Sequence, residues 1–131
     1  MSAAVRQTRD QRMASKALAR VKEAAKDETF AKRYRSRAMS FPALVLQSGL
    51  AQAVGFLQAK SGGKVGGDEY GQYLDDLAHV AGKNHGRNLV DSAVSNGLGD
   101  YRLLTRDVLD AAGWLKRMTQ AVMGREAEDV R

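Results

Sequence analysis

The residues able to do chemistry are few. The chain has two histidines, His79 and His85, and no cysteine. Asp75, Asp76 and His79 would share one side of a helix, because residues three and four apart are neighbours there. Such a trio could hold a metal ion or supply a general base. The plainer reading is an exposed acidic cluster beside a surface histidine, because no third ligand is evident. The run GGKVGG, residues 62–67, lacks the Lys-Ser/Thr ending of a phosphate-binding loop and follows no strand, so it reads as a linker in which Lys64 could touch a phosphate. Asp68 and Glu69 suit a helix start better than a pair of catalytic carboxylates. Trp114, the single tryptophan, could stack a base, although a Trp beside a helical core stripe is more often packed. No metal or cofactor is expected, and no catalytic set converges.

The basic residues are the stronger signal. Formal net charge is +6, and residues 1–40 hold eleven Lys/Arg against four Asp/Glu. Residues 41–99 hold four against five, and residues 100–131 six against six. The excess therefore sits in the first forty residues. Such asymmetry fits a polyanionic partner, nucleic acid before membrane, or simply a solvated basic helical surface. Arg9, Arg12, Lys16 and Arg20 recur on one helical face, interrupted by Met13. Arg33, Arg35 and Arg37 crowd the next segment and are candidates to bind nucleic acid on charge pattern alone. Near the C-terminus, Arg102, Arg106 and Arg117 share a polar face, with Lys116 flanking and Gly113 leaving the surface open. A phosphodiester backbone could run over that face; Arg106 could instead pair with Asp110 at i, i+4.

The elements that must position these residues are helical. One Pro, at 42, common Ala and Leu, and no sustained period-two alternation favour an all-α fold. A single compact bundle of about five to seven helices is expected over residues 1–131, with a flexible Gly-rich loop at 61–67 and a frayed tail at 124–131. The first helix is expected from about Ala3 to Lys26, with Ala14, Leu18, Val21 and Ala25 inward. Asp27 should cap a second helix through about Ala38. Ser40 should then cap a third, with Pro42 in its first turn, where the missing N–H costs nothing. A break is expected at Ser48-Gly49, with a restart at Leu50. Asp68 should cap a helix carrying Tyr70, Tyr73, Leu74, Leu77 and Ala81, ended by Gly82. A short helix follows from about Asn88 to Asn96, with Leu89, Ala93 and Val94 inward. Asp100 should cap the last helix, Tyr101 to about Met123, whose stripe is Tyr101, Leu104, Val108, Leu115, Met118 and Val122. The first residues hold no apolar signal region, and no apolar run reaches the roughly 18–20 residues that span a bilayer. A soluble, cytoplasmic protein is expected.

Two stretches make a pair. PALVLQSGLAQAVGFLQAK (42–60) follows the basic RYRSRA (33–38), and YRLLTRDVLDAAGWLKRMTQA spans 101–121. In that order they resemble the small subunit of the type III-B CRISPR effector, the Cmr RNA-silencing complex. The resemblance rests on Pro42-Ala43-Leu44-Val45, Gly49-Leu50, Gln52, Phe56-Leu57 and Lys60, then on Tyr101-Arg102, Thr105 and Trp114-Leu115-Lys116-Arg117. Phe41, Ser48, Leu46, Asp107 and Met118 depart from the family's usual residues, and Leu46 removes one possible phosphate contact.

The resemblance implies a non-catalytic, all-helical subunit. Copies of it would stack head to tail beside the backbone and large subunits of a ribonucleoprotein. Guide RNA and target RNA would be its nucleic-acid partners, in the service of antiviral defence. Base pairing reads sequence in such a complex, so this subunit need only bind phosphates and shape. Carried over by position, the resemblance assigns RNA binding to Lys60, Arg102, Lys116 and Arg117. Two rivals remain: a free-standing helical DNA-binding protein, or a small all-α enzyme that binds an anionic metabolite. The first needs a polar recognition helix, but the turn at Gly49 joins two apolar helices. The second needs charges within the core stripes, and those stripes show none.

Overall fold

A computed structural model of the chain describes residues 6–62, 68–83 and 85–124. Every regular element among them is an α-helix: α1 Arg9–Ala24, α2 Glu28–Ser48, α3 Leu50–Lys60, α4 Glu69–Val80, α5 Gly86–Ser95 and α6 Leu98–Met123. The all-α bundle is therefore the observed architecture. Residues 1–5, most of the Gly-rich loop and the tail beyond Gly124 lie outside the described residues.

The helix starts show how local chemistry sets boundaries. Asp27 accepts the Phe30 N–H, and Asp68 accepts the Gly71 N–H, each satisfying an amide that has no partner within its helix. The first helix begins later than expected. Thr8 caps it, and the Gln11 side chain bonds back to the Thr8 N–H, a reciprocal capping box. The last helix begins earlier, at Leu98, so Asp100 lies inside its first turn rather than at its cap. There a carboxylate still meets the positive end of the helix.

Pro42 marks the main departure from expectation. No new helix starts at Ser40; α2 runs through Pro42 to Ser48. The Ser40 hydroxyl bonds back to the Ser36 carbonyl at 2.7 Å instead of capping. Proline deprives the helix of one hydrogen bond. Against that loss, Tyr34, Ala38, Phe41 and Val45 form one unbroken buried stripe across the junction. Fully burying one large apolar side chain stabilises by about 1.5–3 kcal/mol, enough to hold the helix together. The chain does turn at Gly49, whose φ of 85° and ψ of 161° suit a residue without Cβ.

In the packing, α6 lies along α1 and α2, while α3 and α5 pack on each other and on α4. The short α4 touches all five other helices. This explains why Tyr73, Leu74, Leu77, Ala78 and Val80 are all buried although they point in several directions. In α1 the buried stripe is Met13, Ala17, Val21 and Ala24; Val21 is inward as expected, while Ala14, Leu18 and Ala25, each one position from a buried residue, are only partly covered. Val94, expected inward, is 68% exposed.

A buried polar node ties three of these helices together. The Asp76 carboxylate is fully buried. It accepts hydrogen bonds from the Tyr34 hydroxyl at 2.6 Å, the Gln72 amide at 2.9 Å and the Arg20 guanidinium at 3.0 Å. Burial pushes the Asp76 carboxyl up, and those three donors act against the shift. Its neighbour Asp75 accepts the Gly86 N–H at 2.9 Å, at the start of α5. The two adjacent carboxylates therefore serve separate structural tasks, and no group of His, Asp and Glu among the described residues could hold a metal ion.

Candidate nucleic-acid interface

The seven residues expected to meet RNA fall into three settings. Arg35 is in the interior. It is 5% exposed, and its guanidinium donates to the Gly124 carbonyl at the end of α6. The expectation that Arg35 contacts RNA is therefore withdrawn. The reason is helical geometry: successive residues of RYRSRA step round the axis by about 100°, so one basic run is scattered rather than gathered. Tyr34 and Arg35 turn inward while Arg33 and Arg37, at i and i+4, share the outer face.

That outer face forms a cluster with α3 and α4. Arg33 Nε lies 3.2 Å from Glu69 Oε1. The Arg37 guanidinium sits over the Tyr70 ring, 4.6 Å from its centroid. Tyr70 meets Phe56 edge to face at 6.0 Å, and the Lys60 ammonium lies 5.8 Å from the centre of the Phe56 ring. Cation, ring, ring and cation thus follow one another across three helices. The rings hold the two charges in place by their negative faces. Phe56 remains 39% exposed. The sequence contained a local signal for half of this arrangement, since Phe56 and Lys60 are i and i+4 on α3. Tyr70 and Phe56 were not among the expected site residues.

The third setting is the outer face of α6. Arg102, Arg106, Gly113 and Arg117 fall within a narrow sector, with Lys116 along its edge, as 3.6 residues per turn requires. The stripe from Arg102 to Arg117 is about 22 Å long at 1.5 Å per residue. Arg102, Arg106 and Arg117 are exposed, and Lys116 is partly covered. Arg106 does not pair with Asp110. Instead Arg9 of α1 reaches Asp107 at 2.8 Å and Asp110 at 2.9 Å, and Arg106 keeps only a 3.8 Å approach to Asp107. Arg9 thereby offsets two carboxylates beside the stripe and leaves its positive character dominant. Asp110, first, and Asp107 hold the Arg9 guanidinium in its charged form.

The N-terminal basic face is thus partly consumed by the fold. Arg9 is tied to α6 and Arg20 to buried Asp76, while Arg12 points outward and donates to the Gln7 carbonyl. Charges do enter the core, at Asp76 and Arg35, which the apolar stripes had concealed. Both engage groups of the protein itself.

A family model described as CRISPR-associated protein (Cas_Cmr5) matches residues 9–122, from the first residue of α1 to the last turn of α6. The chain belongs to this Cmr5 family. The CRISPR system Cmr subunit Cmr5 of Thermus thermophilus is 42% identical over 116 residues, spanning 88% of this chain and 96% of that protein. The crystal structure of a CRISPR-associated Cmr5 family protein from the same organism matches with a TM-score of 0.80 and 40% identity, covering 90% of this chain and 99% of that one. Cmr5 membership agrees with the resemblance read from residues 42–60 and 101–121. Among the described residues, no helix is long and apolar enough to cross a membrane.

Proposed function

We propose that this Cmr5-family chain is the small, non-catalytic subunit of a type III-B Cmr ribonucleoprotein. In this reading, copies stack head to tail beside the subunits that hold the guide RNA. The exposed cations then line the path of the target strand and neutralise its phosphates. Family membership across the whole bundle supports the subunit assignment. The observation that carries the RNA contact is the α6 stripe: Arg102, Arg106 and Arg117 lie exposed on one face, and the α6 acids Asp107 and Asp110 beside it are engaged by Arg9. Arg33, Arg37 and Lys60 form a second basic cluster able to act in the same way. Each contact is weak alone. Repetition at a regular rise raises the total, because each further copy binds at a high effective concentration.

The test has two parts. Affinity purification from the native host should recover larger partner subunits and guide RNA, identified by sequencing. Recovery of the chain free of both would count against the subunit assignment. In a reconstituted complex, Lys116→Glu with Arg117→Glu should weaken target-RNA binding. It should also flatten the log–log salt dependence by about 0.7 for each phosphate no longer neutralised. Unchanged affinity at moderate salt removes both residues from the interface.

A further inference from the structure

A groove of about 380 Å³ lies between the first turn of α1 and the middle of α6. It is lined by Asp10, Leu109, Asp110, Gly113, Trp114 and Arg117. Three features set it apart from a plain basic surface. Trp114 is only partly buried; it packs against the core and also faces this groove. Beside it, a Cβ built on Gly113 would meet nothing within 4 Å, so the helix surface next to the indole is open. At the groove's margins stand an exposed cation, Arg117, and an exposed anion, Asp10. Neither has an ion-pair or side-chain hydrogen-bond partner among the described residues. Asp110, by contrast, is engaged by Arg9.

We infer that this groove takes one unpaired nucleobase of the bound RNA, guanine by preference, stacked on Trp114 with its phosphate toward Arg117 and its base edge toward Asp10. The inference rests on the RNA-binding reading above and names a subsite within it. An aromatic face binds any base by stacking, and a cation holds the adjoining phosphate. A carboxylate repels phosphate, so Asp10 can only face the base. Its two oxygens accept and cannot donate. Guanine offers two adjacent donors, N1–H and the N2 amino group, on its Watson–Crick edge, where single-stranded bases are read. Uracil offers one N–H there, flanked by two acceptors. The volume lies at the small end of ligand sites, which fits one base rather than a dinucleotide.

The single tryptophan of the chain makes the groove its own reporter. The full chain is titrated at low salt with two fluorescein-labelled RNA octamers, one all uridine and one with a single central guanine. Anisotropy of the label reads binding anywhere on the protein, and Trp114 emission reads the groove. The expected result is quenching of Trp114, with the guanine octamer bound at least about fivefold more tightly, the lower end for a two-bond base contact. Asp10→Asn should abolish that preference. Gly113→Leu should suppress the quenching while anisotropy still reports binding through the remaining cations. Its fold should be retained, since Leu favours a helix over Gly. Anisotropy change without Trp114 quenching, equal affinity for the two octamers, or full quenching in Gly113→Leu would each overturn the groove inference and leave the RNA reading standing. No anisotropy change at low salt would overturn this inference, while the RNA reading stands or falls by the reconstituted complex, where copies act together.

Discussion

Tyr34 and Tyr73 present the same side chain in one core under opposite conditions. Both are fully buried, with rings 5.7 Å apart and edge to face. The Tyr34 hydroxyl donates to Asp76 Oδ2 at 2.6 Å, whereas the Tyr73 hydroxyl has no partner among the described residues. Removing each hydroxyl should therefore give opposite results. Tyr34→Phe deletes a hydrogen bond to a buried carboxylate, a loss of about 1.5–3 kcal/mol. For a domain of this size that lowers the melting temperature by about 5–12 °C. Tyr73→Phe removes a buried polar atom that nothing satisfies, and should be neutral or stabilising by up to about 1 kcal/mol. Urea unfolding followed by circular dichroism and Trp114 fluorescence measures both. The effect of pH gives a second check. Burial raises the folded pKa of Asp76. Its contribution is therefore complete below the unfolded value near about 3.9 and is lost as pH rises through the folded value. Deleting the Tyr34 donor raises the folded value further. The Tyr34→Phe deficit should then grow as pH rises from the acid range, where the Asp76 carboxyl takes up its proton, towards neutral pH. Equal losses for the two variants, or a Tyr34→Phe deficit that does not change with pH, would refute the assignment of the node.

Three further perturbations test the course of the backbone. Gly49→Ala should destabilise by about 1–3 kcal/mol, because φ 85° with ψ 161° is glycine territory. The nearest atom, the Tyr101 hydroxyl 3.7 Å from a built Cβ, leaves ordinary room, so the cost lies in the backbone and not in a clash. Asp27→Ala should cost about 1 kcal/mol as a lost cap. Ser40→Ala should be neutral or slightly stabilising, since Ser40 lies within α2; a loss comparable to that of Asp27→Ala would indicate a helix start at Ser40. Thermal and urea unfolding of each variant decide these points.

Local chemistry was legible in the sequence. The caps at Asp27 and Asp68, the turn at Gly49 and the long C-terminal stripe each depend on residues within about one helical turn of one another, and all are observed. The α6 stripe of Arg102, Arg106 and Arg117 follows from the same periodicity. The paired blocks at 42–60 and 101–121 pointed to the family. Most of what failed, or went unseen, depends on contacts between distant parts of the chain; the start of α1, set by the local Thr8–Gln11 capping box, is an exception. Pro42 reads locally as a helix start, and only the continuous packing of Tyr34, Ala38, Phe41 and Val45 overrules it. Arg9 finds Asp110 across 101 residues, Arg20 finds Asp76 across 56, and Tyr34 finds the same carboxylate across 42. No spacing rule reaches that far. A basic run shows how much positive charge is present; only the packed bundle decides that Arg35 lies inside, that Arg37 rests on Tyr70, and that Arg117 lies exposed at the groove beside Trp114. Helical periodicity is a property of neighbours in sequence, whereas the surface an RNA would meet is set by which helices cover which faces.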